Sequence, residues 1–306
     1  MSDLKLFREQ GGLLSELQSS QAPLERALQT KFENNLETLL GVRFLASEYV
    51  TSHKGRMDTL GIDENGYPVI IEYKRDRSEN VINQGLFYLD WLMDHRGDFE
   101  ILVRDRYGKD AAQQIEWSAP RLICIAADFN KYDAHAVKQM GRNITLIRYK
   151  RFGDDLLLLE QLTEVSTTAA PSGEIDTSQP RAHKYKTVSE SMADANIDLA
   201  NLFADTENHL LGIGDDVTKK VLKNYFAYRR IKNFACVEVK PQTGVVRLYL
   251  KVDPGMLELL GDLEDGFTRD VRNVGHFGTG DLEVTLRTHD DLERAKPLIQ
   301  QSYEAS

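Results

Sequence analysis

Glu72 and Lys74 lie two residues apart in the segment VIIEYK and are of the types that hydrolytic active sites use. On a β-strand, side chains two residues apart leave the same face, so this acid and this amine share one small volume while Tyr73 points to the opposite face. A second acid, Asp58, precedes them in the segment RMDTLGID. If a hairpin brings the two acids together, the three side chains form a candidate site for metal chemistry.

The loop between these segments determines whether the two acids meet. Residues Glu64–Gly66 fit a three-residue hairpin loop, in which a type I turn ends at a glycine in the left-handed region with a bulge. That loop places Asp58 directly across from Glu72 on one face of the hairpin. A two-residue turn at the last two of these positions would place Asp58 across from Tyr73 and separate the acids. We predict the three-residue loop.

Two carboxylates that face each other repel, and burying them unpaired costs several kcal/mol. A hard divalent cation such as Mg²⁺ or Mn²⁺ removes the conflict because it prefers oxygen ligands. With Asp58 and Glu72 as ligands, the cation would activate a water molecule and stabilise charge on a phosphate, and Lys74 would supply a fixed positive charge beside the attacking oxygen. This chemistry is phosphodiester hydrolysis.

The alternative is a solvated hairpin face on which the same residues form a surface salt bridge. Spacing alone does not separate the two interpretations. The apolar run Val69–Ile71 directly before Glu72 favours the site, because it predicts a strand that is buried on both faces. A charged pair on such a strand requires an explanation.

The stretch RMDTLGIDENGYPVIIEYKRDRSENVINQGLFYLDWL resembles the PD-(D/E)XK nuclease superfamily, and within it the nucleases and restriction-like proteins that include the archaeal-type NucS family. The resemblance covers roughly residues 20–160 and implies a restriction-endonuclease-like core. It assigns Asp58 to the first half-motif and Glu72 with Lys74 to the E-x-K half-motif. The proline of the family is absent, since Met57 precedes Asp58, but the metal ligand is unaffected.

The resemblance also implies residues on the flanking helices. A helix before the hairpin commonly supplies another acid, for which we select Glu33, with Glu37 one turn later as the alternative. Gln84 and Tyr88 resemble the Q-x-x-x-Y motif of related nucleases and lie on one face of a helix because they are four residues apart. They would contact the DNA backbone or brace Lys74, or else be polar positions on a core-facing helix.

Three residues before or within the hairpin are further candidates. Arg56 lies across from Lys74 in the predicted register and could bind phosphate. Glu48 and His53 precede the hairpin and could lie near the metal. For His53 a surface position is favoured, because the segment SHKGR is polar and typical of a loop.

The composition limits the possible partners. A net charge of −10 opposes coating of nucleic acid by the whole surface but suits a site that gathers carboxylates around a cation. No apolar run approaches the ~20 residues that span a bilayer, so a cytoplasmic location without membrane contact is expected. The expected partner is nucleic acid, DNA rather than RNA, and a homodimer is left open. Cys124 and Cys236 are predicted to be reduced residues of buried strands.

At 306 residues, the chain has the length of two domains. Residues 1–165 alternate strands with helices and predict an α/β nuclease-like core with a mixed sheet, with one helix over residues 23–40 and a strand at FEILVRD. The stretch 166–190 is expected to be a linker, because it starts with a Ser-, Thr-, Ala- and Pro-rich segment. Residues 191–306 predict a small accessory α+β domain.

In the second domain, the segment TRDVRNVGHFGTGDLEVTLRTHDDLERAKPLI resembles a small domain of uncharacterised function that is often found behind such nuclease cores. Two shorter segments of this domain are further candidates for function. The segment VTKKVLKNYFAYRR predicts a helix that either binds a nucleic-acid backbone or places its aromatic residues in the core, and we slightly favour the core. The segment GHFGTG predicts a tight loop around His276. The basic and aromatic residues are Lys219, Lys220, Lys223, Arg229, Arg230 and Lys232 with Tyr225, Phe226 and Tyr228.

These observations predict a metal-dependent nuclease. The main alternative is a non-catalytic nucleic-acid-binding or protein-interaction module that keeps the nuclease fold with structural acids. A transport-associated or regulatory protein is a third possibility.

Overall fold

The computed structural model describes residues 4–20, 24–52, 55–77, 81–153, 155–165, 187–260 and 263–306. The chain divides into two compact units, residues 1–172 and 173–306. Most of the expected linker, 166–190, lies outside the described residues. Residues 188–190, the last three of the expected linker, belong to a helix, so the regular structure of the second unit begins before the predicted residue 191.

The first unit is built on a mixed sheet. Its strands are β1 (Leu6–Gln10), β2 (Leu13–Leu17), β3 (Ser19–Ser20), β4 (Val42–Val50), β5 (Arg56–Asp63), β6 (Pro68–Arg77), β7 (Arg121–Asp128), β8 (Asn143–Phe152) and β9 (Leu156–Val165). Seven strands form the main sheet in the order β3-β8-β7-β6-β5-β4, with β9 also paired to β8. The central strands β6, β7 and β8 are parallel, and the other pairings are antiparallel.

Helices cover both faces of this sheet. They are α1 (Glu25–Glu33), α2 (Leu36–Leu40), α3 (Val81–Asp94), α4 (Arg96–Tyr107), α5 (Lys109–Gln113) and α6 (Lys131–Gln139). On one face, Phe32 of α1 meets Tyr73 edge to face, with ring centroids 5.6 Å apart. On the other, α3 approaches so closely that a Cβ on Gly85 would lie 2.4 Å from Leu122 Cδ1. The predicted α/β class, a mixed sheet flanked by helices, is confirmed.

The hairpin β5–β6 has the predicted register. Ile62 pairs with Pro68 and Thr59 with Ile71, and continuing this register places Asp58 across from Glu72. Within the loop, the Asp63 N–H donates to the Tyr67 carbonyl at 2.9 Å and the Gly66 N–H to the Asp63 carbonyl at 3.0 Å. Gly66 has φ 83°, the left-handed conformation that the three-residue loop requires.

Two predicted elements of the first unit are wrong. The helix expected over residues 23–40 is two helices, because the chain leaves helical geometry at Asn35 (φ −136°, ψ 20°) before α2, which ends at Gly41 in the left-handed region. The segment FEILVRD is not a strand but part of α4. Its Phe99 and Val103 are four residues apart and buried, whereas Ile101 between them is exposed, which is the helical pattern.

The second unit is a smaller α+β domain. Its helices are α7 (Val188–Ala193), α8 (Ile197–Gly212), α9 (Pro254–Leu260) and α10 (His289–Glu304), and its strands are β10 (Thr218–Val221), β11 (Phe226–Arg229), β12 (Asn233–Lys240), β13 (Val245–Leu250), β14 (Thr268–Asp270) and β15 (Leu282–Leu286). The strands form one antiparallel sheet in the order β10-β11-β12-β13-β15-β14. Leu202 of α8, Leu248 of β13 and Ile299 of α10 share its core.

The helix predicted for VTKKVLKNYFAYRR is wrong. The segment forms the antiparallel pair β10–β11, in which Thr218 pairs with Arg229 and Val221 with Phe226. Both cysteines are free and buried on strands as predicted, Cys124 on β7 and Cys236 on β12. In the ranges that the structure describes, no helix is long and apolar enough to cross a bilayer.

Candidate active site

Asp58 and Glu72 face each other at the centre of the main sheet. The Asp58 N–H donates to Glu72 Oε1 at 3.2 Å, and the Tyr73 N–H donates to Asp58 Oδ2 at 3.0 Å. Each carboxylate is therefore oriented by the backbone of the opposite strand. Glu72 has no exposed surface, because β6 is covered on both faces. The two acids that the sequence singles out are brought together by two neighbouring strands.

Burial and mutual repulsion raise the pKa of both carboxyl groups. Burial, with the nearby Asp58 carboxylate as the second cause, raises the pKa of Glu72 to about 8. Burial also raises the pKa of Asp58, although the Tyr73 N–H and the Lys74 ammonium oppose the increase. A neutral Glu72 near pH 7 is the state expected for a buried carboxyl group that faces a second, partly buried one.

The donor set suits a divalent cation of the Mg²⁺ type. Glu72 Oε2 is buried and has no hydrogen-bond partner among the described residues. Within those same residues, no group of three or more His, Cys, Asp or Glu side chains is arranged to hold a metal. Mg²⁺ commonly binds through one or two carboxylates together with waters and substrate phosphate, so an acid pair is sufficient. Asp58 and Glu72 would be the protein ligands.

Lys74 lies beside this pair and is held by an acid that the sequence analysis missed. Its Nζ is 3.3 Å from Glu25 Oε1, and Glu25 Oε2 accepts from the Arg75 N–H at 3.1 Å. Glu25 belongs to the first turn of α1 and adds to the increase in the pKa of both Asp58 and Glu72. Glu25, rather than Glu33, is therefore the α1 carboxylate that contacts Lys74.

The predicted helix acid, Glu33, lies elsewhere. Its Oε1 accepts from Thr59 Oγ1 at 2.7 Å and from Gln29 Nε2 at 2.9 Å. Thr59 points to the face of the hairpin opposite Asp58, so Glu33 is separated from the acid pair by the sheet. The alternative, Glu37, is exposed on α2.

Gln29 connects α1 to the site, which the sequence analysis also missed. Its Nε2 donates to the carbonyl oxygen of Asp58 at 2.7 Å and to Ser47 Oγ at 3.2 Å. Glu25, Gln29 and Glu33 follow one another at four-residue intervals along one face of α1. That stripe, in which the buried Gln29 adjoins the apolar residues Leu28 and Phe32, is the signal from which this face could have been identified.

Gln84 and Tyr88 are four residues apart on α3 and are hydrogen bonded. Tyr88 Oη accepts from Gln84 Nε2 at 3.2 Å and from the Arg56 N–H at 3.1 Å. The motif therefore fixes the start of β5, the strand that carries Asp58. In the part of the chain that the structure describes, neither side chain forms a hydrogen bond with Lys74.

Arg56 belongs to a second charged group next to the site. Its Nε is 2.7 Å from Glu48 Oε2, and Arg26 Nη1 is 2.7 Å from Glu48 Oε1. Glu48 thus links α1 to β5, and its charge contributes to the raised pKa of Asp58. His53 lies outside the described residues.

In the second unit, the aromatic residues of the basic segment are core residues. Tyr225, Phe226 and Tyr228 are buried, so they are not available to stack on bases. The segment GHFGTG is a tight loop, as predicted. Gly278 has φ 86°, and a Cβ there would lie 2.6 Å from Cys236 Cβ, while His276 stacks on Tyr249 with ring centroids 4.4 Å apart.

Comparisons with known proteins add a domain family and several distant similarities. Residues 188–306 match a family model described as a domain of unknown function, DUF5655. The chain is 27% identical over 308 residues to a protein of Haemophilus influenzae described as uncharacterized, with 98% of this chain and 99% of that protein covered.

Among solved structures, the chain resembles a repair endonuclease from Pyrococcus abyssi with 20% identity and a TM-score of 0.28, covering 42% of this chain and 48% of that one. It also resembles EndoMS in a complex with double-stranded DNA, with 19% identity and a TM-score of 0.25 over 40% of this chain and 43% of that one. The matched part spans somewhat less than half the length of these structures. TM-scores of this size carry no weight on function, so the site residues themselves must support it.

Proposed function

We propose that the first unit is a metal-dependent nuclease that hydrolyses phosphodiester bonds of DNA. The observation that carries the proposal is the pair formed by the buried Glu72 and the partly buried Asp58, which face each other with Glu72 Oε2 lacking a partner among the described residues. Burying two acids without a cation is costly, and Mg²⁺ or Mn²⁺ would remove that cost. The E-x-K and Q-x-x-x-Y resemblance to PD-(D/E)XK nucleases supports a restriction-endonuclease-like core.

The residues around the pair have separate roles in this proposal. Asp58 and Glu72 would hold the cation, which would lower the pKa of a coordinated water and neutralise charge on a phosphate. Asp58 and Glu72 are oriented for this by backbone N–H groups, and Gln29 fixes the Asp58 backbone. Lys74 supplies positive charge beside the reacting phosphate, and Glu25 holds its ammonium group in place.

The proposal extends to partners and location. DNA rather than RNA is the proposed substrate because the motif resembles DNA-cleaving families of repair and defence. A homodimer and a cytoplasmic location stay predictions. Sedimentation of the purified chain, alone and with DNA, would measure its oligomeric state.

The direct test is cleavage by purified protein of labelled single-stranded, double-stranded and branched DNA, and of RNA, with Mg²⁺, Mn²⁺ or EDTA. Asp58→Asn and Lys74→Ala should each reduce cleavage at least about 100-fold, because each removes a group that stabilises the transition state. Asp90→Asn is the matched control, since Asp90 is an exposed acid of α3 paired with Arg142. Equal cleavage by the wild type and all three variants would contradict the proposal.

Two observations favour the non-catalytic alternative. The acid pair is not joined by a third metal-binding side chain in the residues described, and Lys74 is engaged by Glu25. Titration with Mn²⁺ separates the two functions. A nuclease site should bind Mn²⁺ in the wild type and lose it in Asp58→Asn, whereas a structural acid pair should show the same weak binding in both proteins.

A further inference from the structure

We propose that Arg26 and Arg56 form a binding site for a backbone phosphate of the nucleic acid, and that Glu48 occupies this site in the free protein. The inference rests on the proposed function because it concerns the substrate of the same site. It adds Arg26 as a second phosphate-binding residue beside Arg56, and Glu48 as an internal competitor that the substrate must displace.

The geometry is that of two guanidinium groups around one anion. Arg26 Nη1 and Arg56 Nε lie 2.7 Å from different oxygens of the same Glu48 carboxylate. Both arginine side chains are 63% exposed, while that of Glu48 is 22% exposed. Guanidinium groups bind carboxylate and phosphate with the same planar pattern of donors. A phosphate that arrives from solvent can therefore take the position of the Glu48 carboxylate.

The backbone of Glu48 is held in an unfavourable conformation. Its φ is 54°, and it is the one residue other than glycine with positive φ in the part of the chain that the structure describes. A side chain in this left-handed region costs free energy, and such strain persists where the surroundings enforce it, often at functional sites. An exposed ion pair gives little stability in return. Because the Glu48 backbone is strained and its ion pairs with the two arginines are weak, a phosphate can readily displace its carboxylate.

The positions of the two arginines suit a substrate that also reaches the carboxylates of Asp58 and Glu72. Arg26 directly follows Glu25, the partner of Lys74, and Arg56 lies on the strand that carries Asp58. The pairing of β4 with β5 places Glu48 level with Asp58. A phosphate bound by the two arginines would thus be a neighbour of the phosphate at the acid pair. Nucleic acid supplies such neighbouring phosphates, whereas a single phosphate ion does not.

The test is binding without cleavage. Affinity of the full chain for labelled double-stranded DNA, single-stranded DNA and single-stranded RNA is measured in EDTA over a range of salt concentrations. The variants are Glu48→Gln, the double variant Arg26→Gln/Arg56→Gln, and the combination of all three substitutions. Asp105→Asn is the matched control, because Asp105 forms an exposed ion pair with Arg104 at 3.1 Å on α4 and its loss changes the net charge equally.

Glu48→Gln should bind the preferred nucleic acid about 3- to 10-fold more tightly than Asp105→Asn does, because the competitor is gone. The double arginine variant should bind more weakly, and the slope of log affinity against log salt should become shallower by about 1 to 2, as two phosphate contacts are lost. In the double arginine background, Glu48→Gln should give no gain. Thermal melts confirm that each variant is folded.

Several results would overturn the inference. These are an equal gain from Glu48→Gln and Asp105→Asn, a gain that persists without the two arginines, or no binding by either the wild type or Glu48→Gln. Failure of the proposed function looks different. Binding that depends on the two arginines, without any metal-dependent cleavage, supports the phosphate site and rejects hydrolysis. Metal-dependent cleavage that does not change when the arginines are replaced supports hydrolysis and rejects the phosphate site.

Discussion

The buried carboxyl group of Glu72 links the stability of the first unit to pH. Its pKa of about 8 in the folded chain exceeds the ordinary value of 4.5 in the unfolded chain. Between these values the unfolded state has lost a proton that the folded state keeps, so the free energy of unfolding falls as pH rises. The raised pKa of Asp58 acts in the same direction.

We therefore expect the metal-free protein to lose about 3 kcal/mol of stability between pH 5 and pH 8, an order-of-magnitude value. Both tryptophans, Trp91 and Trp117, belong to the first unit, so urea unfolding followed by their fluorescence in EDTA measures it. Glu72→Gln should flatten this dependence. A wild-type curve as flat as that of the variant would show that Glu72 is ionised in the folded chain.

The strained backbone of Glu48 gives a second prediction. Glu48→Gly should be about 1 kcal/mol more stable than Glu48→Gln, because glycine tolerates φ 54° without the steric cost of a Cβ. Both variants lose the same carboxylate, so the comparison isolates the backbone. Thermal unfolding of the two proteins measures the difference. A glycine variant less stable than the glutamine variant would mean that this backbone is not strained.

Among single residues, the sequence predicted the acid pair but not the acid on α1. The positions of Asp58 and Glu72 follow from a local feature, the loop that ends at Gly66, and the structure has that register. The four-residue spacing of Glu25, Gln29 and Glu33 marks the polar face of α1 but does not distinguish its two ends. Helix packing against the sheet determines which end lies beside the acid pair.

At the scale of elements, the close approach of α3 to the sheet positions Tyr88 against the start of β5. A Cβ on Gly85 would lie 2.4 and 2.6 Å from the two Cδ atoms of Leu122. Gly85→Ala should therefore lower the stability by about 2 kcal/mol through overpacking, despite the better helix propensity of alanine. It should also weaken the hydrogen bond from the Arg56 N–H to Tyr88 and reduce cleavage.

Gly97→Ala is the matched control for this prediction. Gly97 lies in α4, and a Cβ at this position would have no neighbouring atom within 4 Å, so alanine there should be neutral or stabilising by about 0.5 kcal/mol. Urea unfolding of both variants supplies the comparison. Equal stabilities would show that α3 can shift away from the sheet without cost.

Two of the wrong elements, one in each unit, share one cause. FEILVRD contains enough branched residues for a strand, but the four-residue interval of Phe99 and Val103 matches the surface that α4 covers. In the second unit, the lysine-rich segment is compatible with a helix, but its residues 226–229 are all buried on β11 between two strands. In both, tertiary packing overrides local propensity.

At the scale of the whole molecule, all candidate catalytic residues belong to the first unit. Its α/β architecture and the α+β class of the second unit follow from the order of periodic segments and are confirmed. The net charge of −10 makes binding of a polyanion depend on local cations such as Arg26, Arg56 and Lys74. A protein of this charge is expected to contact few phosphates rather than to coat its substrate.

The most direct test of cation binding by Asp58 and Glu72 is a crystal of the full chain soaked in Mn²⁺, with anomalous diffraction recorded at the manganese absorption edge. An anomalous peak within about 2.5 Å of carboxylate oxygens of both Asp58 and Glu72 is the predicted result. The same peak should be absent from crystals of Asp58→Asn. If saturating Mn²⁺ gives no peak at this position while the two acids remain face to face, the pair does not bind the cation and the proposed metal site is wrong.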